Sequence, residues 1–363
     1  MSILIRLLEK EELFYANSFF NEVYKTNRSY ESFKWEFLNG PCGAAIYVAA
    51  IDESIKQELK IVGIQCAIPL IFVGNNDQKI LTAKSEDTLV DPNYRGMQIF
   101  EKMYNLLFEE CKKKGIKFIW GFTPAYKPFK KLGFNLDVKA KQELLVVNLF
   151  ASFKFLSTIN KQNKSIDKLK ILLLCIFSFF KGLNRFFIKI DLSYKTTDFN
   201  SALNIKNINF FNLDKSTDKL FTLLQDEIFY KWRIIENSYN NEYFSLDFID
   251  RQTNKICANL ILNLRKEVSY IEQMVFSENL DIHRQKKIIA AAIIFLQKRN
   301  ANLIRFLAFD SNPINKKEIQ SLNEIGFVKL NRGNWFVWKC LDKDFNINPS
   351  SIFLSRLFTQ GNI

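Results

Sequence analysis

Three short landmarks occur twice in this chain, in the same order, and that duplication limits the fold more than any other feature. FKWEFLNGP (33–41) is answered by YKWRIIENS (230–238), each with Lys-Trp after an aromatic residue. YRGMQI (94–99) is answered by HRQKKI (283–288), and KLGF (131–134) by EIGF (324–327). One short match would be chance, but three in register imply two copies of one domain. The 363 residues suit that reading, because single hydrophobic cores stop growing at roughly 250–300 residues. The expected division is a first domain over 1–150, a basic linker over 151–204, a second domain over 205–345 and a tail over 346–363.

Within the first copy, apolar runs and alternation predict strands near 2–8, 44–51, 60–73, 79–90, 116–122 and 140–149. Helical periodicity predicts helices over 11–25, 31–38, 96–114 and 125–131. Gly115 after three lysines is a helix stop, with cations at the negative end of the dipole. The pattern predicts an α/β (α+β) domain whose mixed, mostly antiparallel sheet is flanked by helices.

The linker has no counterpart in either copy. It carries nine Lys and Arg against three Asp, around the uncharged run ILLLCIFSFF (171–180). As a helix that run spans about 15 Å, half a hydrocarbon core of about 30 Å, so it does not cross a bilayer. Two placements fit it. The helix packs between the domains, or it lies in a membrane interface with Lys168, Lys170, Lys181, Arg185 and Lys189 among anionic headgroups.

The net charge of +13 favours anionic partners without choosing among them. A nucleic-acid binder is one option, yet no recognition helix or aromatic-basic RNA motif accompanies the charge. Six scattered cysteines without a C-x-x-C pair, and the single His283, speak for a reduced cytoplasmic protein without a metal centre. The N-terminus is charged from residue 6 and lacks a cleavage site, so it does not read as a signal peptide.

DPNYRGMQIFEKM (91–103) reads as a strand end, a glycine turn and a helix opening without a capping box. Such an opening presents unpaired backbone N–H groups at the positive pole of a helix, which suits a pyrophosphate. Arg95 adds a cation that can reach a phosphate. The order strand LTAKSEDTLVDP, loop NYRGMQI, helix to Lys114, strand KFIWGF and then AYKPFKKLGF resembles the acetyl-CoA core of the GNAT N-acetyltransferase superfamily over about 80–147.

That resemblance implies tandem acyl-CoA N-acyltransferase (GNAT-like) domains, the second degenerate because HRQKKI holds no glycine. It implies acetyl-CoA as cosubstrate in a V between the strands around 84–90 and 116–122, with Thr88, Leu89 and Val90 pairing the pantetheine arm. Arg95 and the backbone of Gly96, Met97, Gln98, Ile99 and Phe100 would hold the pyrophosphate. The family's Arg/Gln-x-x-Gly-x-Gly/Ala loop here reads Arg95, Gln98 and Phe100, so two small residues are replaced.

An ammonium acceptor must first lose a proton, and the candidate bases are Glu86, which is favoured, and Asp87, on opposite faces of one strand. Many relatives carry a tyrosine acid where this chain has Phe129, which leaves Tyr126 as a substitute if its helix is rotated. Trp35 and Trp232 read as core residues. The implied activity is acetyl transfer to a primary amine. The KWEFLNGPCG run and the tandem arrangement are similar to bacterial relatives of surface-polysaccharide assembly. An amino sugar on a nucleotide or lipid diphosphate is therefore the leading acceptor, at the inner membrane face. The alternative is a non-catalytic membrane-surface scaffold built on decayed acetyltransferase folds.

Overall fold

The computed structural model describes all residues except 1, 56–58, 75–77, 160–164, 190–191, 200–220, 240, 266, 278–279, 311–312, 331–332, 346, 349–350 and 360–363. From the N-terminus the chain forms β1 (Ile3–Leu7), α1 (Leu13–Tyr24), α2 (Tyr30–Phe33) with a π-helical turn (Lys34–Leu38), β2 (Ile46–Asp52), β3 (Ile61–Gly74) and β4 (Lys79–Val90). Then come α3 (Ile99–Lys113), β5 (Phe118–Thr123), α4 (Tyr126–Lys131), β6 (Asn135–Lys139) and β7 (Lys141–Val146). Helices α5 (Leu149–Ile159) and α6 (Ser165–Gly182) precede β8 (Ser193–Asp198), β9 (Phe221–Leu223) and α7 (Glu227–Tyr230) with a second π-helical turn (Lys231–Ile235). The remainder is β10 (Glu242–Ile249), β11 (Ile256–Leu264), β12 (Ser269–Phe276), α8 (Ile282–Gln297), β13 (Leu303–Ala308), α9 (Pro313–Ile325), β14 (Val328–Lys329) and β15 (Trp335–Cys340).

Two compact units result, and neither is contiguous in sequence. The first holds Met1–Asp137, Phe221–Tyr239 and Trp335–Asn348, and the second holds Val138–Leu220, Asn240–Asn334 and Pro349–Ile363. In these units β7 falls with the second, while β9, α7 and β15 fall with the first. The boundary near 205 itself lies outside the described residues.

The first sheet runs β1-β2-β3-β4-β5-β15-β6 with β9 on β3, and the second runs β8-β10-β11-β12-β13-β7-β14. The two orders correspond strand for strand. Each sheet takes its sixth strand from the other copy's stretch of sequence, so the copies exchange β7 and β15. β4–β5 and β12–β13 are the corresponding parallel pairs in the two sheets.

The repeated landmarks have physical causes. Gly133 and Gly326 both adopt positive φ, +76° and +118°. Each ends a helix with paired back-bonds: Gly133 N–H to Lys130 O and Phe134 N–H to Phe129 O, then Gly326 N–H to Asn323 O and Phe327 N–H to Leu322 O. The phenylalanine after each glycine is buried. Gly115 closes α3 in the same way, as its lysine-glycine ending predicts.

The two Lys-Trp motifs meet inside the first unit. Trp35 Nε1–H donates to the Trp232 carbonyl at 2.5 Å, and Trp232 Nε1–H donates to the Trp35 carbonyl at 2.8 Å. Both indoles are buried. Below them β3 is buried along most of its length, and α3 lays Ile99, Met103, Leu107 and Cys111 into the core of the first unit. Among the described residues no helix is long and apolar enough to cross a membrane.

Candidate active site

β4 and β5 pair only where Thr82–Lys84 meet Phe118–Trp120, and beyond that point they separate. The separation has local causes. A bulge interrupts β4 against β3, where pairing passes from Cys66–Glu86 to Ile64–Leu89 and Asp87 turns to φ +48°. On β5 the first residue past the paired stretch is Gly121, and a Cβ there would stand 2.8 Å from the Ser85 carbonyl oxygen. Glycine is required at this fork.

The fork opens onto a cleft of about 810 Å³, within the range of small-molecule sites. Thr88, Leu89 and Val90 form its β4 wall, Arg95, Gly96, Gln98, Ile99 and Phe100 its floor, and Lys127 and Lys131 its rim. Met97 is outside the lining residues. Gly96 (φ +87°) and Gln98 (φ +58°) make the turn into α3, and the Gln98 side chain does not cap the helix. The N–H groups of Ile99, Phe100 and Glu101 therefore have no helical carbonyl to bond, and the positive helix pole faces the cleft. Three cations oppose the single acid Glu101 among the lining residues. Gln98 holds the left-handed conformation that glycine adopts without strain. The bulk of Phe100 is accommodated against Tyr104 and Phe129, at ring distances of 4.8 and 5.6 Å.

At the fork lies a buried charged cluster. Asp87 receives both Arg28 guanidinium nitrogens, at 2.7 and 3.1 Å, and the Tyr47 hydroxyl at 2.9 Å. Glu86 pairs with Lys84 Nζ at 2.5 Å, and burial pushes its carboxyl above the ordinary carboxylate range. Glu36, on the first π-helical turn, was not among the sequence candidates. Burial raises it from 4.5 to about 7, with Lys84 and Arg233 opposing the rise and Glu86 and Asp87 adding to it. Arg233 occupies in the second Lys-Trp motif the place Glu36 has in the first. Only the pairing of the two motifs brings these residues to one fork, which is why no local signal marks them.

Tyr126 packs on Trp335 at 5.7 Å and is not among the lining residues. Phe129 lines the cleft floor as an apolar group. The buried Tyr104 hydroxyl is shared between Ser85 Oγ at 2.7 Å and Thr88 Oγ1 at 3.2 Å. Tyr24 is a lining tyrosine that the sequence reading passed over. Among the described residues no three metal-ligating side chains cluster, and none of the six cysteines is paired.

Beside this splayed parallel pair and uncapped helix start, residues 4–136 match the profile of the acetyltransferase (GNAT) domain family. Residues 4–136 are a GNAT domain. No curated protein matches the chain significantly. Among solved structures, a probable N-acyltransferase from Enterococcus faecalis V583 aligns with TM-score 0.62 at 8% identity, over 94% of this chain and 72% of that one. A tandem GNAT protein from the clavulanic acid biosynthesis pathway gives 0.56 at 10% identity, over 95% and 100%. Saccharomyces cerevisiae N-myristoyltransferase with bound myristoyl-CoA gives 0.58 at 13%, over 93% and 82%. These likenesses extend the GNAT fold over both units.

The second GNAT-like unit has a corresponding fork, where β12 and β13 pair only at Ser269–Ile271 and Ile304–Phe306. Here the chain's own C-terminal segment fills it. Arg356 pairs with Glu272 and lies 3.6 Å over the Tyr270 ring, Ser355 donates to Gln273 at 3.0 Å, and the Leu354 carbonyl accepts from Asn315 at 3.3 Å. Residues Ile352–Phe358 are buried. The start of α8 is also closed, because the Asp281 side chain accepts from the Arg284 N–H at 2.9 Å.

Proposed function

We propose that the protein is an N-acetyltransferase that moves an acetyl group from acetyl-CoA to a primary amine in the first unit. The observation that carries this reading is the open fork over an uncapped, cation-rimmed start of α3. The Ile99, Phe100 and Glu101 amides with Arg95 would hold the pyrophosphate, and the free edge of Thr88–Val90 the pantetheine arm. The thioester would then lie toward the fork. The amine nitrogen attacks the thioester carbonyl, the C–S bond breaks, and CoA leaves as a thiolate protonated from solvent.

The proton of the acceptor ammonium goes toward the buried Glu36 carboxyl, which lies behind the cleft lining with Glu86 and Asp87 and whose raised basicity suits a base working near neutral pH. Asp87, committed to Arg28 and Tyr47, supports the bulge. The acceptor is an amino sugar carried on a nucleotide or lipid diphosphate, taken from the family resemblance and from the excess of cations. The protein works in the cytoplasm, at the inner membrane face when the acceptor is lipid-linked. Calorimetric titration tests the reading: acetyl-CoA should saturate at one equivalent, and Arg95→Ala with Lys131→Ala should weaken it at least tenfold. Two equivalents, or no binding, would defeat it.

A further inference from the structure

We infer that α6 presents a docking face for an anionic lipid bilayer surface. Its inner side is used within the second unit: Ile171, Leu174, Cys175 and Phe179 join a core cluster there. Ser178 accepts from the Val146 N–H at 3.0 Å and donates to the Leu144 carbonyl at 3.3 Å. A soluble surface helix would be polar on its other side. This one repeats its hydrophobicity instead. Leu169, Leu173, Phe177 and Phe180 are 57, 57, 59 and 62% exposed. Their three- and four-residue spacing sets them in one stripe about 17 Å long. Phe187, just past the helix, and Phe150, at the start of α5, are 87 and 84% exposed.

Charge identifies the occupant. Lys168 and Lys170 flank the stripe on its two edges, and Lys154 and Lys189 are exposed nearby in sequence. Asp167 is the one acid of α6, 4.0 Å from Lys170. Lys181 and Arg185, which the sequence offers for the same role, are engaged inside the unit, donating to the Phe327 and Gly182 carbonyls. An apolar stripe with lysines along both edges matches the layering of an anionic bilayer, with rings in the acyl boundary and ammonium groups at the phosphates. A second protein copy would bring the same cations against themselves. The surface stands independently of the acyl-transfer reading.

Flotation of the full chain tests it. The protein should rise with phosphatidylglycerol-containing vesicles at low salt and stay down with pure phosphatidylcholine. Leu173→Glu with Phe177→Glu, both solvent-facing, should lower the bound fraction at least about tenfold while leaving acetyl-CoA binding unchanged. Lys168→Glu with Lys170→Glu should lower it at least about 25-fold, at about fivefold per lysine. The inference is overturned if the unmodified protein fails to float or if the Leu173/Phe177 variant floats equally well. A dimer that this variant converts to monomer, without flotation, overturns it also, since the face would then belong to a second copy.

Discussion

Asp87 and Glu86 are neighbours in sequence with opposite prospects. The Arg28–Asp87 pair is buried on both sides and bidentate, so removing one partner strands a charge at a cost of about 3–5 kcal/mol. Asp87→Asn should lower the stability read by denaturant unfolding by that amount, and any loss of activity should follow from it. Glu36 behaves in the reverse sense. Its folded pKa, about 7, lies above its ordinary 4.5, so its contribution to stability is fully present below about pH 4.5 and lost as pH rises through 7. Glu36→Gln should therefore melt higher than the parent protein at pH 8 and alike at pH 4. The same substitution should cut turnover by about 10²–10⁴ and shift or remove the limb of the rate profile near pH 7. Full activity with an unchanged pH profile would remove Glu36 from the proton path.

The elements of the first copy were largely legible, because strand and helix periods and glycine stops are local signals. β6 was missed although Leu136 and Val138 alternate with exposed Asn135, Asp137 and Lys139, because two apolar positions in five residues are too short a run to stand out. Much of the cleft lining was legible as a string within Thr88–Phe100, because a turn and a helix start are contiguous. The bulge was not: Asp87 at φ +48° looks like any strand aspartate, so strict alternation assigned it a face of its own. Glu36 and Arg233 were out of reach for another reason, since their π-helical turns meet across 197 residues of separation. At this scale the fork itself is testable. Gly121→Ala puts a Cβ 2.8 Å from the Ser85 carbonyl, and backbone on both sides resists the shift. We expect acetyl-CoA affinity to fall at least tenfold while the secondary structure seen by circular dichroism is kept; unchanged affinity would show that the fork tolerates widening.

For the whole molecule, the tandem sequence builds one open fork and one filled by residues 352–358, so duplication has not produced two equal sites. Strand membership was illegible because a strand's own residues do not name its sheet. Ending the chain after residue 334 deletes β15 and the C-terminal segment, and both units should fail: such a protein should be recovered as aggregate, and a soluble, cooperatively melting product would contradict the exchange. The exchange also sets a schedule for synthesis. β5 and β6 emerge long before the strand that belongs between them, Trp335–Cys340. At about 5–20 residues per second the nascent chain waits roughly 10–40 s with that gap unfilled. An unpaired β5 edge invites foreign strands during the wait, so the interval between synthesis of β6 and of β15 is the stage at which a chaperone is needed, and the first sheet can close only once Cys340 has been made.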